Sequence, residues 1–172
     1  AYGRGLRAPE ARSITASVTT PSDVVLDRYK GGTARIVPSD ALELGGRYTG
    51  PRYLSAGLAA FATWIDRELV FDHVSAVNLE LNQTRRLGVE LDVSLRPAPW
   101  LLLRQDLTLA QARFVASGAP VPGAPPLLSA SSLTLSHPNG LRAGVRLQVV
   151  GARPLPHGAR SASYALLDLG VG

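Results

Sequence analysis

Between Arg85 and Arg113 the chain reads RRLGVELDVSLRPAPWLLLRQDLTLAQAR, and its first half alternates without a break. Leu87, Val89, Leu91, Val93 and Leu95 share one parity, while Arg86, Glu90, Asp92, Ser94 and Arg96 share the other. A period of two belongs to an extended strand, whose successive side chains point to opposite faces. A helix would spread these charges around its whole surface. The segment is therefore a strand with two unlike environments, and Pro97-Ala98-Pro99 turns it back into a second extended run that starts at Trp100. The apolar parity has two possible neighbours: a protein core, as in a soluble sandwich, or lipid, as in a barrel with a wet lumen.

The rest of the chain supplies strands of the same kind. Ala1 to Leu6 reads as the end of a strand, and Ala41 to Tyr48 alternates Leu42, Leu44 and Tyr48 against Glu43, Gly45 and Arg47. Arg52 to Asp66 is the longest uncharged stretch. Its Ala and Leu content would suit a helix, but Gly57 lies mid-segment and Leu54, Ala56, Leu58, Ala60, Ala62 and Trp64 form an unbroken alternate row, which favours a strand. Leu127 to Ser136 is a strand of small residues. Leu141 to Val149 repeats the first motif, with Leu141, Ala143, Val145, Leu147 and Val149 opposite Arg142, Gly144, Arg146 and Gln148. Tyr164 to Gly172 completes about eight strands, with Asp168 opposite Leu167, Leu169 and Val171. Arg67 to Leu81 is a connection that could prolong its neighbours as a hairpin.

The connections alternate in length. Long, Pro/Gly-punctuated loops are expected over 7–37, with local hairpin structure around Ser17 to Tyr29, and over about 67–82, 114–126 and 151–162. Short turns fall at 49–51, 97–99 and 137–140, the last containing the reversal signal Asn139-Gly140. In an antiparallel meander, alternate connections lie at the same end. One rim therefore carries every long loop and the other every tight turn, the asymmetry of outer-membrane barrels. Tyr48, Tyr53 and Trp100 flank tight turns, and Trp64, Phe114 and Tyr164 flank long loops, a distribution like two interfacial girdles.

Composition narrows the chemistry. The 172 residues suffice for one domain, and they contain no cysteine, so disulfides, thiolate metal sites and a cysteine nucleophile are excluded. No window reaches the roughly 18 consecutive apolar residues of a spanning helix, so any membrane role falls to strands. With no initiator Met and no signal peptide at AYGRGLRAPE, the chain is expected to be processed or a fragment. The 18 Lys plus Arg residues, of which only Lys30 is lysine, exceed the 13 acidic ones. They are spread along the chain beside Asp and Glu rather than gathered with aromatics, which argues against nucleic-acid binding.

Catalytic and metal motifs are missing. His73, His137 and His157 sit far apart in loops or turns without metal-ligand spacing, and no cofactor is implied. Ser13, Ser55 and Ser136 lack a nucleophile elbow or a local triad, and there is no P-loop or dinucleotide fingerprint, so an enzyme is not expected. The prominent polar set is the alternate row Arg86, Glu90, Asp92, Arg96, Arg104, Asp106, Arg142, Arg146 and Asp168. Such charges either pair with one another and with a filling domain, or form an electropositive path for an anionic ligand, to which arginine is suited by its forked geometry. Loop residues near Arg12, Arg28, Lys30, Arg35, His73 and Arg160 would meet such a ligand first.

Specific residues then resemble one family. Tyr2-Gly3-Arg4-Gly5-Leu6-Arg7-Ala8-Pro9-Glu10 looks like the "YG.GFRAP" signature of TonB-dependent outer-membrane receptors, with Leu6 where an aromatic is usual. Ala41-Leu42-Glu43-Leu44-Gly45 resembles their "yElG" strand, and Pro38-Ser39-Asp40 stands where "PE" is common. Ala60-Phe61 with Trp64-Ile65-Asp66 and Leu69-Val70 resembles the next strand, and Asn82 to Glu90, including Gly88, resembles the "N...a...GvE" strand. Pro97 to Leu101, Ala112-Arg113-Phe114, Val121-Pro122, Val150-Gly151-Arg153-Pro154 and Tyr164-Leu167-Asp168 continue the series in order across the chain.

The resemblance implies the C-terminal part of a 22-stranded transmembrane barrel in the outer membrane of a Gram-negative-type bacterium. The implied function is import of a scarce ligand, such as an iron-siderophore complex or cobalamin. The implied partners are membrane lipid, a plug domain in the lumen, the TonB complex and a small siderophore-like ligand at the extracellular loops. The plug and the final strands would lie outside these residues. On that reading Leu87, Val89, Leu91, Val93, Leu95, Val145 and Leu147 face lipid, and Arg86, Glu90, Asp92, Arg104, Asp106, Arg142, Arg146 and Asp168 face the lumen. Two other architectures fit the alternation: a soluble antiparallel sandwich that binds a ligand, and an autonomous eight-stranded membrane barrel.

Overall fold

The computed structural model describes residues 2–7, 37–50, 53–72 and 77–172. Ten strands form: β1 (Tyr2–Arg7), β2 (Val37–Thr49), β3 (Leu54–Ile65), β4 (Glu68–Asp72), β5 (Val77–Leu81), β6 (Thr84–Ala98), β7 (Leu101–Phe114), β8 (Leu127–Ser136), β9 (Arg142–Val150) and β10 (Tyr164–Val171). Eight of them make a single sheet in the order β1-β2-β3-β6-β7-β8-β9-β10, in which each neighbour is antiparallel. The remaining pair, β4 and β5, is a separate antiparallel hairpin on the β3–β6 connection. No helix among the described residues is long and apolar enough to cross a membrane.

The expected strands and turns are present, and the differences lie at their ends. Arg52 to Asp66 is extended over Leu54–Ile65, because its alternate row has a partner on each side, and tertiary pairing outweighs the helix preference of Ala and Leu. β2 starts at Val37, before the expected Ala41, and so contains Pro38. A proline is tolerated in that first stretch, and there its carbonyl accepts from the Asp66 amide at 3.4 Å. The turn expected at 97–99 closes at Pro99 and Trp100, since β6 runs to Ala98 through a register shift after Leu95. Pro97, which lacks an amide proton, sits within that irregularity. The hairpin expected around Ser17 to Tyr29 lies outside the described residues.

Tight turns join β2 to β3, β6 to β7 and β8 to β9 at one rim, and the β3–β6, β7–β8 and β9–β10 connections leave from the other. Two of the long connections are tied together. The 115–126 loop folds back on β7 through Phe114 N to Ala119 O at 2.9 Å and Val121 N to Ala112 O at 3.0 Å. It reaches the 151–163 loop through Gly123 N to Pro154 O at 2.7 Å.

The sheet is one layer thick. Among the described residues the buried set is Ile65, Val121, Thr84 and two glycines, Gly57 and Gly151. Leu44, Leu58, Leu109, Leu147 and Leu169, on one face, are all exposed. A sandwich would place a second sheet about 10 Å away over these side chains. None is present among the described residues, which removes the sandwich reading. A self-contained eight-stranded barrel would pair β1 with β10, whereas these two strands are the open edges of the sheet.

Candidate functional site

The register aligns side chains into rows that cross the sheet, and odd and even rows take opposite faces. On one face Leu54, Leu95, Leu103, Leu133, Val145 and Leu169 are in line. The next such row holds Tyr48, Ala56, Val93, Gln105, Ser131, Leu147 and Leu167, and the one after holds Gly46, Leu58, Leu91, Leu107, Ser129 and Val149. Leu44, Ala60, Val89 and Leu109 follow, then Leu42, Ala62, Leu87 and Gln111. All seven residues assigned to the apolar row, Leu87, Val89, Leu91, Val93, Leu95, Val145 and Leu147, thus share one face although they come from distant segments.

That face carries a polar cluster. A shallow groove of about 380 Å³ opens where Ser131 stands among Val93, Leu95, Leu103, Leu133, Val145 and Leu147. Gln105 fills part of it and is internally satisfied. Its Nε2 donates to Ser129 Oγ at 2.9 Å and to the Asp106 carbonyl at 2.8 Å, while its Oε1 accepts from Ser131 Oγ. An amide closed on its neighbours in this way leaves no polar atom unpaired in an apolar setting.

The other face is a two-dimensional array of charge. Arg86, Glu90, Asp92, Arg104, Asp106, Arg146 and Asp168 all point to it, with Arg142 on the same parity of β9 at the tight-turn rim. Asp92 lies opposite Asp106 and next to the Glu90 row, making the centre acidic. Arg104 and Arg146 flank Ser132 in the adjoining row towards the tight turns, and Arg146 is in register with Asp168. With its amide turned so that the oxygen faces the guanidinium, Gln148 accepts from Arg146 Nε at 2.8 Å and Nη2 at 3.0 Å. The sequence row is therefore assembled as one surface, acidic at mid-height and basic beside it.

Arg47 of β2, which alternation sets opposite Leu42, Leu44 and Tyr48, also belongs to this surface, and the register gives it a partner. Its Nη2 lies 3.1 Å from Asp92 Oδ1, two strands away. The contact spans β3 because Gly57 occupies the intervening position, where a Cβ would overlap the Asp92 carboxylate. A lone glycine inside an otherwise regular strand is the signal for such a crossing. Both side chains are well exposed, 64% and 41%, so the pair contributes at most about 1 kcal/mol in this setting.

A second glycine explains part of the family pattern. Phe61 and Gly88, quoted above from different motifs, are direct cross-strand partners. The phenyl ring lies over Gly88 so closely that a Cβ there would overlap the ring and the Leu109 carbonyl. Glu43 is next to Phe61 in the same row, and Gly45 follows one row on beside Ala59. Gly3 pairs with Ala41, and Arg7 with Val37 at the start of β2. Ala8 and Pro9 lie outside the described residues, as do Arg12, Arg28, Lys30, Arg35 and His73. Arg160 is described, bridged to Pro154 in the long-loop rim. No group of acidic residues and histidines among the described residues could hold a metal ion.

A meander of amphipathic strands, apolar on one face and charged on the other, with asymmetric rims and open edges, is a run of barrel staves. The family model described as "TonB dependent receptor-like, beta-barrel" matches residues 1–172, and the chain belongs to that family. Members are outer-membrane β-barrels of Gram-negative bacteria that act as receptors rather than enzymes.

Solved structures show the same fold. The ferric yersiniabactin uptake receptor FyuA of Yersinia pestis is similar at 20% identity and a TM-score of 0.70, over 99% of this chain and 26% of that one. The copper transporter OprC is similar at 18% identity and a TM-score of 0.70, over 98% and 27%. BauA, the ferric preacinetobactin receptor of Acinetobacter baumannii, is similar at 14% identity and a TM-score of 0.66, over 99% and 26%. The chain thus spans about a quarter of the length of these receptors. No curated protein sequence matches it.

Proposed function

We propose that the chain is the C-terminal part of the barrel of a TonB-energised importer for a scarce ligand such as an iron-siderophore complex or cobalamin. One observation carries this reading: a single open sheet with unlike faces, all of it within the receptor family model. The apolar face meets outer-membrane lipid, and the charged face lines the lumen, where a plug domain supplied by the rest of the receptor packs against it. Of the two roles open to that charge, docking of the plug fits the arrangement better. The row is mixed in sign, with an acidic centre at Glu90, Asp92 and Asp106 and a basic flank at Arg104 and Arg146, rather than uniformly electropositive. Ligand choice then belongs to the long-loop rim, including the ordered 115–126 and 151–163 loops, because recognition in such scaffolds resides in loops.

The test is a deletion of the gene for the whole receptor, followed by growth with one scarce nutrient supplied at a time as different ferric chelates or as cobalamin. Loss of growth on one ligand, reproduced by removing TonB and restored by the intact gene, is expected. A deletion strain that takes up every ligand tested at the wild-type rate refutes the proposal.

A further inference from the structure

The row just beyond the apolar band, on the long-loop side, carries two guanidiniums where the pattern calls for neutral residues. Asp40, Trp64, Arg85 and Arg113 are in direct register on the same face as Leu87, Val89 and Leu91, and the Trp64 position separates the carboxylate from the guanidiniums. Like charges placed opposite each other across an antiparallel pair are destabilising unless something neutralises them. Neither arginine has an ion-pair partner among the described residues. Among the described residues Arg113 is held by neutral acceptors: its Nη1 donates to the Gly118 carbonyl at 2.8 Å, and the Gln111 amide oxygen, turned towards it, accepts from Nη2 at 3.1 Å and Nε at 3.2 Å. These bonds fix the fork without cancelling its charge, and they leave donors unused. Arg85 is exposed.

We propose that Arg85 and Arg113 together bind the phosphate of an anionic outer-leaflet lipid headgroup, with Trp64 beside them at the interface. The inference rests on the reading of the apolar face as lipid-facing. Depth agrees with it. With Leu91 at the midplane, the six residues to Arg85 at about 3.4 Å each and a tilt of about 40° place Arg85 about 16 Å out. The apolar band of such barrels is about 25 Å tall, so the pair stands a few ångströms beyond its edge, at headgroup level. Arginine suits the role because its planar fork matches phosphate and is weakly hydrated.

The experiment uses the whole receptor in detergent and counts retained phosphatidic acid by native mass spectrometry, with diacylglycerol and inorganic phosphate as the comparison probes. At about fivefold per arginine, the double substitution Arg85→Gln/Arg113→Gln is expected to lower phosphatidic acid retention by about 25-fold. Arg104→Gln, the same charge change on the other face, is expected to leave it unaltered, and Arg85→Lys/Arg113→Lys to restore only part of it. Equal retention by the wild type and the double Gln variant overturns the proposal. So does displacement by millimolar inorganic phosphate, which would make this a general anion site rather than a lipid site. A nitroxide on Val89→Cys separates the two readings. Oxygen accessibility without phosphate preference sinks the arginine site alone, and accessibility to a water-soluble nickel chelate sinks the lipid-facing assignment beneath it.

Discussion

Placing an arginine at each of Leu87, Val89, Leu91, Val93 and Leu95 in the whole receptor tests which face meets lipid. These side chains lie on one face of β6 with one residue between successive members. At about 3.4 Å per residue and a tilt of about 40°, each step changes depth by about 5 Å. Leu91 is thus central, with Leu87 and Leu95 about 10 Å from it on either side by the same step. A charge at the midplane of a barrel costs about 2–4 kcal/mol, falling to about 0–1 kcal/mol near the interfaces. The expected result is a peak: Leu91→Arg most damaging, Val89→Arg and Val93→Arg intermediate, Leu87→Arg and Leu95→Arg mild. Urea unfolding from phospholipid vesicles measures it. A profile that is flat, or that rises towards either end, refutes the assignment, because core packing or water on that side would not follow depth.

Other residues make separate tests. Gly88→Ala is expected to destabilise by about 1–3 kcal/mol through overpacking against Phe61 and the Leu109 carbonyl, and Phe61→Ala in the same chain should recover part of the loss; strict additivity in the unfolding cycle would count against the ring-over-glycine contact. Arg47 and Asp92 substituted singly and together should give a coupling of no more than about 1 kcal/mol, while Gly57→Ala should abolish that coupling by displacing the carboxylate, a result readable by repeating the cycle in the Ala background. Gln105→Leu should shift stability by less than about 1 kcal/mol, since interhelical and similar polar contacts in lipid average near 0.6 kcal/mol; a loss of several kcal/mol would show that the Gln105, Ser129 and Ser131 cluster holds β7 to β8. Trp100→Ala should cost about 0.5–1.5 kcal/mol beyond its lost area, because its ring meets His137 edge-on with centroids 5.8 Å apart; a His137→Ala background in which the cost is unchanged would dismiss that contact.

Much of the fold is legible along single strands. Leu87 to Leu95 and Arg142 to Val149 announce both the extended conformation and its two environments, and the alternation of long and short connections announces the rims. The charged row was legible for the same reason: parity assigns a face before any partner is known. The start of β2 was less so, because Val37 to Asp40 is extended by its neighbours β1 and β3 rather than by any period of its own. Arg47 had its parity from the sequence but not its partner, which is 45 residues away across a glycine. Arg85 and Arg113 looked like ordinary alternation until the register set one opposite the other.

By itself, the sequence determined what each strand shows to its two sides, since that depends only on the two-residue repeat of an extended backbone. It also determined, through its turn residues, which ends lie close. Tertiary structure decided everything that depends on register: that Phe61 covers Gly88, that Arg47 reaches Asp92 over Gly57, that Gln105 closes on two serines, and that two arginines face each other at the edge of the apolar band. It decided too that the apolar rows meet no second sheet among the described residues. A strand's own pattern states that a face is apolar; only the assembled sheet shows whether protein covers it, because coverage is a property of the other strands' placement.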